Sequence, residues 1–239
     1  MSAYRQSPFA NLTPVVKNLL IINVIFFLAF QLIDHGSGGG PLTQVTAEFY
    51  FNSPKFRPWQ FITYMFMHGS FQHILFNMFA LFSFGPMLEY TMGPKKFFNF
   101  YFICGIGAGL LQMFVQGIEV YRLIGSFTIP SPGVDQSYFD AAGANAQQLY
   151  NIYHSSLVGA SGAVFGLLIA FALLFPNLEL MMLFIPIPIK AKYFVGFYIL
   201  LEIYSGFAQA AGDNVAHFAH IGGAIFGFLL VRIWRLRGE

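Results

Sequence analysis

Charged residues are scarce in this sequence. Asp, Glu, Lys and Arg make up 9% of its 239 residues, whereas hydrophobic residues make up 56%. A soluble domain carries about 25% charged residues, which keep its surface hydrated. The shortage excludes an ordinary water-soluble domain and favours a chain whose outer surface faces hydrocarbon. We therefore expect an integral membrane protein whose first partner is the lipid bilayer.

The sequence also has very little cysteine and no cluster of basic residues. Cys104 is the one cysteine, so no disulfide can form within the chain. The net charge is only +2 and the basic residues are scattered, which argues against nucleic acid as a partner. The first apolar run begins near Leu19 with no small-residue cleavage site closely behind it, so we expect no cleavable signal peptide.

Long hydrophobic runs, by contrast, are abundant. A helix that crosses a bilayer needs about 20 mostly apolar residues. Six runs approach or reach this length once flanking residues are included: Leu19–Ile33, Phe71–Tyr90, Phe97–Val115, Leu157–Phe175, Tyr193–Ala208 and His217–Trp234. The sequence therefore predicts an all-α membrane protein with six transmembrane helices. We expect tails at 1–18 and 235–239, a six-helix domain at 19–234, and outer loops at 34–70 and 117–156.

The Lys and Arg residues indicate how this domain is oriented. With six spans both termini lie on one side, and of the 12 basic residues all except Lys55, Arg57 and Arg122 then lie there too. Basic residues concentrate on the cytoplasmic side of membrane proteins. We expect both termini in the cytoplasm, and the short tails favour a bacterial inner (plasma) membrane. Leu178–Ile189 is too short to span, and we interpret it as an interfacial connection.

Polar residues lie at one depth within three of the predicted spans. His73 and Asn77 lie in the first turns of the second span, Ser161 near the start of the fourth, and His217 and His220 at the start of the sixth. All three helices run inward from the outer side. Polar side chains inside a membrane are costly and usually functional. A Ser, an Asn and several His at one depth are the groups that nucleophilic catalysis requires.

Each of these groups has a role in such chemistry. A serine hydroxyl needs a neighbouring base, and imidazole has a suitable pKa. An Asn amide, a His N–H and a backbone N–H at a helix start can stabilise an oxyanion. Ser161 supplies a nucleophile and such a backbone N–H, while Phe165 is placed to pack beneath an imidazole from a partner helix.

Two pairs of glycines predict how the helices approach. Gly162 and Gly166 follow Ser161, and Gly223 and Gly227 follow His220 on one helix face. Glycines spaced by four residues allow helix backbones to pack closely in lipid. This packing would bring the fourth and sixth helices close enough for a hydrogen bond between serine and histidine.

The polar residues and glycines together form three motifs that resemble those of the rhomboid proteases. They are His73-x-x-x-Asn77, Gly159-x-Ser161-Gly162 and Ala219-His220-x-x-Gly223-x-x-x-Gly227. The segments Phe66–Phe71 and Pro186–Lys190, and Glu89 with Gly93, resemble the bacterial members. The resemblance covers the chain from about Trp59 onward. It departs at Gln60, where the family often has Arg after Trp. The resemblance implies a six-transmembrane-helix rhomboid-like bundle.

The resemblance also implies an activity, which is intramembrane cleavage of single-span transmembrane substrates without a cofactor or a metal. Ser161 would be the nucleophile and His220 the general base, with no acidic third member. Asn77, His73 and the Ser161 backbone N–H would form the oxyanion hole, with Gly159, Gly162, Phe165, Gly223 and Gly227 in support. The loop at 209–215 would cover a cavity that admits water.

Several other interpretations stay open from the residues alone. His217 is the rival to His220 as base, and Glu89 and Glu202 are expected to pair structurally near helix ends. Zinc on His217 and His220 with His73 or His68 is disfavoured, because the sequence lacks His-Glu-x-x-His and we expect no carboxylate in the outer half of any helix. An aspartyl protease is disfavoured because Asp213 is in a loop. The alternative functions are a catalytically inactive rhomboid-like protein that binds membrane clients, and a transporter with a histidine proton relay.

Overall fold

The computed structural model describes residues 12–130, 143–182, 185–208 and 215–238, which are mostly helical with one small sheet. The helices are α1 (Pro14–Ile33), α2 (Pro41–Thr46), α3 (Gln60–Thr63), α4 (Phe71–Met92), α5 (Pro94–Ile124), α6 (Ala146–His154), α7 (Ser161–Leu174), α8 (Ala191–Ala208) and α9 (His217–Ile233). Short 3-10 helices occur at Tyr64–Phe66 and Gly143–Asn145, and the strands are β1 (Glu179–Met182) and β2 (Ile185–Lys190).

Three of these helices are long and apolar enough to cross a membrane, namely α1, α4 and α5. Helices α7 and α9 are apolar but have 14 and 17 residues, and α8 has 18. The chain is thus a helical membrane protein, and the six-span arrangement stays a prediction in which α7, α8 and α9 are the last three spans.

Helix boundaries differ from the predicted runs in ways that local chemistry explains. Helices α1 and α5 begin at Pro14 and Pro94 because proline fits the first turn of a helix, where its missing N–H is not needed. Helix α5 then continues past Val115 to Ile124 and ends at Gly125 with φ +70°, the left-handed conformation that commonly closes a helix. Part of the predicted outer loop 117–156 is therefore helical, in α5 and in α6.

Helix α7 lies at the centre of the bundle. Most of its residues are buried, including Ala163, Leu167 and Phe171, and it packs against α4, α5, α8 and α9. A helix that is apolar on all sides belongs in an interior of this kind. Its packing partners leave little of α7 exposed to lipid, so its composition reflects helix–helix contact more than contact with the bilayer.

Glycines set the spacing between α7 and its neighbour α9. A Cβ atom on Gly223 would collide with the carbonyl oxygen of Gly162, and one on Gly227 would lie 2.6 Å from the carbonyl oxygen of Gly166. On the other side of α9, a Cβ on Gly222 would lie 3.0 Å from Cα of Ala108 in α5. The backbones of these helices are therefore in direct contact, which only residues without side chains permit.

A buried carboxylate attaches α1 to the bundle. Glu89 of α4 accepts hydrogen bonds from the backbone N–H groups of Val16 at 2.9 Å and Val15 at 3.1 Å, and from the hydroxyl of Thr13. The first N–H groups of a helix have no partner within the helix and attract negative charge. Glu89 therefore has the structural role expected from its place near a helix end.

The loop between α1 and α4 is fixed by Gln60, the residue at which the resemblance departs. Its side-chain oxygen accepts from the Arg57 N–H at 3.0 Å, and its amide nitrogen donates to the carbonyls of Lys55 at 2.9 Å and Gln44 at 3.2 Å. Glu48 in the same loop exchanges two backbone hydrogen bonds with Leu157, at 3.0 and 2.7 Å. This contact joins the loop to the segment just before α7.

The segment interpreted as an interfacial connection forms an antiparallel hairpin. Strands β1 and β2 pair in the register Glu179 with Lys190 and Leu180 with Ile189. The hairpin follows α7 and leads directly into α8. It therefore satisfies its own backbone hydrogen bonds in a connection too short for a further span.

Candidate active site

Ser161 occupies the first position of α7, after a turn that requires glycine. Gly159 has φ +129°, a conformation that residues with side chains rarely adopt. Its N–H donates to the Tyr64 carbonyl at 3.0 Å, which fixes the turn to the 3-10 helix before α4. The Ser161 backbone N–H therefore stands at an open helix start, where N–H groups are available to a ligand.

The hydroxyl of Ser161 meets an imidazole from α9. Its Oγ lies 2.8 Å from Nε2 of His220, a hydrogen-bond distance. The His220 ring stacks on Phe165 with 4.3 Å between ring centroids and 12° between planes. The structure thus brings together the serine and histidine that the sequence analysis selects, with the phenyl ring against the face of the imidazole.

The other ring nitrogen of His220 meets a carboxylate from α8. Its Nδ1 lies 2.8 Å from Oε2 of Glu202, and the same oxygen lies 2.7 Å from Nδ1 of His217. Glu202 is only 5% exposed. The resemblance implied no acidic third member, and Glu202 was expected to pair structurally near a helix end. The expectation that no carboxylate lies beside these histidines was therefore wrong. A carboxylate inside an apolar run indicates that some partner exists, but the sequence does not identify which residue it is.

His73 lies against the turn before Ser161, and Asn77 follows it one helical turn later on α4. A Cβ atom on Gly159 would lie 2.7 Å from Nε2 of His73, so the imidazole packs directly on that backbone. The Asn77 amide donates to the His73 carbonyl at 2.9 Å, within its own helix. Since an amide carries two N–H groups, this contact orients the side chain and leaves a second donor.

A second histidine packs behind His73. His68 is fully buried, and its ring meets that of His73 edge to face with centroids 4.9 Å apart. Burial, together with the neighbouring His73, lowers the pKa of His68 to about 3. His68 is therefore neutral at physiological pH and supports the His73 ring as an uncharged group. Its burial was not foreseen from the sequence.

Glu202, His217 and His220 also form the one group of described residues with the spacing of a metal site, since one ligand atom from each lies within 4.8 Å of the others. Both imidazoles form hydrogen bonds to the carboxylate through Nδ1, and Nε2 of His220 meets Ser161. These hydrogen bonds account for the cluster without an ion. The loop at 209–215, expected to cover the site, lies outside the described residues except for Val215.

Taken chemically, the site has a nucleophilic hydroxyl, a base within hydrogen-bond distance, and a carboxylate behind that base. Backbone and side-chain donors lie near the helix start that carries the hydroxyl. This set of groups suits acyl transfer, in which a serine attacks a carbonyl and donors stabilise the resulting oxyanion.

Comparisons with known proteins agree with this chemistry. Residues 55–237 match the family model of the Rhomboid domain. Rhomboid protein 1, mitochondrial, from Saccharomyces cerevisiae is 27% identical over 164 residues, covering 69% of this chain and 38% of that protein. Rhomboid protease AarA from Providencia stuartii is 28% identical over 185 residues, covering 72% and 54%. Rhomboid protease GlpG from Haemophilus influenzae is 36% identical over 67 residues, covering 28% and 35%.

These relatives qualify two expectations from the sequence. The chain spans 38%, 54% and 35% of their lengths, so it corresponds to only part of each. A mitochondrial yeast protein stands beside bacterial ones, so the match is to the family as a whole. The narrower assignments to the bacterial type and to a bacterial inner membrane gain no support from it.

Proposed function

Because this chain belongs to the rhomboid family, we propose that it is an intramembrane serine endopeptidase that cleaves transmembrane helices of membrane-protein substrates. The observation that carries the proposal is the hydrogen bond of 2.8 Å between Ser161 Oγ and His220 Nε2. Two side chains 59 positions apart in sequence meet at the distance that proton transfer from serine requires.

The proposed reaction has two halves. His220 Nε2 takes the proton of Ser161 as Oγ bonds to the substrate carbonyl carbon, and the carbonyl oxygen becomes an oxyanion. The Ser161 backbone N–H, the Asn77 amide and His73 stabilise that oxyanion. The imidazolium then gives its proton to the leaving amine as the peptide bond breaks. In the second half, His220 takes a proton from the water molecule that attacks the ester carbonyl. The imidazolium then returns a proton to Ser161 Oγ as the ester bond breaks and the carboxylic acid product leaves.

Supporting residues hold this geometry. Gly159 permits the turn that the His73 ring packs against, and Phe165 fixes the plane of the His220 ring. Gly162 and Gly223 let α7 and α9 approach until the hydroxyl and the imidazole meet. We propose single-span transmembrane proteins as substrates, cleaved in the outer half of the membrane. We further propose that both termini are cytoplasmic, because nine of the 12 basic residues then lie on the cytoplasmic side.

Replacement of the nucleophile tests the activity. Ser161→Ala should abolish cleavage of a co-expressed single-span substrate, with a loss of at least about 10³-fold, because no other group supplies the attacking oxygen. Immunoblotting measures both cleavage and enzyme abundance. Ser83→Ala, at an exposed position on α4, is the matched control and should cleave normally. Cleavage by the Ser161→Ala protein would disprove the assignment.

The alternative function is binding of membrane clients without catalysis. A fluorophosphonate that labels activated serines separates the two. The proposed enzyme should be labelled, and both Ser161→Ala and His220→Ala should remove the label. A folded protein that binds a transmembrane client but is never labelled would support the alternative.

A further inference from the structure

The Glu202 carboxylate is the least expected group in the site. It lies in α8, which is otherwise strongly apolar, and it is 5% exposed. A carboxylate in such a position is costly unless hydrogen bonds and opposite charge compensate it. Among the described residues its partners are His217 and His220, both through Oε2. Among the described residues, the cost of burying this carboxylate is therefore offset only by the two histidines of the site. This arrangement points to a role for Glu202 in the site.

We propose that Glu202 is a positioning residue for His220, so that the site works as a Ser161–His220–Glu202 triad; this inference rests on the proposed function. Glu202 Oε2, 2.8 Å from Nδ1, accepts the Nδ1–H. That bond keeps the proton on Nδ1 and the lone pair on Nε2, the tautomer that accepts the proton of Ser161. When Nε2 takes this proton, the resulting imidazolium faces a carboxylate.

The geometry leaves the His220 ring little freedom. Ser161 holds one nitrogen at 2.8 Å, Glu202 holds the other at 2.8 Å, and Phe165 covers a face. Phe165 is itself supported by Tyr198 of α8, with ring centroids 5.0 Å apart. Helix α8 thus contacts the imidazole directly through Glu202 and indirectly through Tyr198. Both contacts fix the orientation from which the lone pair reaches the hydroxyl.

His217, the rival to His220 as base in the sequence analysis, contacts Glu202 instead. Its Nδ1 lies 2.7 Å from the same Glu202 oxygen, so it acts as a second donor that orients the carboxylate. Gly206, one turn after Glu202, makes this approach possible, since a Cβ there would lie 3.3 Å from Cβ of His217. His217 then supports Glu202, which in turn supports His220.

A purely structural role for Glu202 and a positioning role predict different effects of replacing the carboxylate. If the carboxylate only ties α8 to α9, a neutral amide oxygen that accepts the same two N–H groups should serve nearly as well. If it stabilises the imidazolium, the negative charge matters during the reaction. Glu202→Gln keeps an acceptor and removes the charge, so it separates the two roles.

The test is steady-state cleavage of a single-span substrate by the purified full chain in detergent micelles. Glu202→Gln should lower kcat at least about 10-fold with KM within about twofold of wild type, because the interaction strengthens only when charge develops. Glu202→Asp should recover part of kcat, and Glu202→Ala should be worse than Gln. Glu179→Gln, at an exposed position on β1, is the matched control and should match wild type.

Two further measurements keep the outcomes distinct. Thermal unfolding should show Glu202→Gln folded, and ¹⁵N NMR of labelled histidine should show His220 of the wild type protonated on Nδ1. If Glu202→Gln has wild-type kcat, or if His220 carries its proton on Nε2, the triad is refuted while the Ser161–His220 reaction stands. If Ser161→Ala still cleaves, the proposed function itself fails. Should Glu202→Gln not fold, the NMR result on the wild type decides.

Discussion

At the scale of single residues, Glu48 is another buried carboxyl group, and its surroundings differ from those of Glu202. It is 4% exposed, and its Oε2 has no hydrogen-bond partner among the described residues. The group lies against Gly109 of α5, where a Cβ would collide with it. Burial raises its pKa from 4.5 to about 8. Glu48 is therefore protonated in the folded protein at neutral pH.

A dependence of stability on pH follows. Between pH 4.5 and about 8 the folded chain keeps a proton that the unfolded chain loses. The free energy of unfolding therefore falls as pH rises through this window. Glu48→Gln cannot ionise, so its stability relative to wild type should improve between pH 5 and pH 8.5, on the order of a few kcal/mol at the upper end. Unfolding in micelles at both values measures the difference; an equal margin at both would contradict the raised pKa.

At the scale of helices, close backbone packing is the feature on which the site depends. Gly223→Ala would place a methyl group into the carbonyl of Gly162 and push α9 away from α7. We expect a loss of about 1–3 kcal/mol in stability, typical of overpacking, and a loss of cleavage of more than about 10-fold because the serine and histidine separate.

Gly196 of α8 is the matched control for this change, because a Cβ there meets nothing within 4 Å. Gly196→Ala should keep full activity and gain up to about 1 kcal/mol of stability from the better helix former. Cleavage assays and thermal unfolding on the two variants check both expectations. Equal behaviour of the two proteins would show that glycine at 223 is not needed for packing.

The positions of the site residues on the helices also explain which of them could be predicted from the sequence. Ser161 and His220 were accessible because short motifs tie them to helix starts, and Phe165 because one helical turn separates it from Ser161. Glu202 was not, because its meeting with His220 depends on how α8 is rotated about its axis. Periodicity within α8 does not determine that rotation when residues on all its sides are apolar.

The sequence likewise predicted some parts of the fold and not others. Apolar runs predicted where the main helices lie, since hydrophobicity is what the bilayer selects. They missed the continuation of α5 to Ile124, which is less apolar, and the hairpin of β1 and β2. The three hydrogen bonds of Gln60 were likewise out of reach, because they depend on the shape of a loop.

At the scale of the whole molecule, topology is the property that most needs a measurement. Three helices are long and apolar enough to span by themselves, and three shorter ones complete the proposed six. An even number of spans places both termini on one side, and an odd number separates them. Epitope tags at the two ends should therefore share the same protection from protease in sealed vesicles. Opposite protection of the two tags would rule out six spans.

The length of α7 determines how deep in the membrane Ser161 lies, and therefore how far water must penetrate to reach it. Its 14 residues rise about 21 Å, against a hydrocarbon core of about 30 Å. If its C-terminal end reaches one face of that core, Ser161 is sunk roughly 9 Å beneath the other face. Hydrolysis at such a depth needs an aqueous recess open to one surface, which lipid tails do not fill. Under the proposed function, a peptide bond inside a substrate helix can reach Ser161 only where that helix unwinds at the edge of the recess.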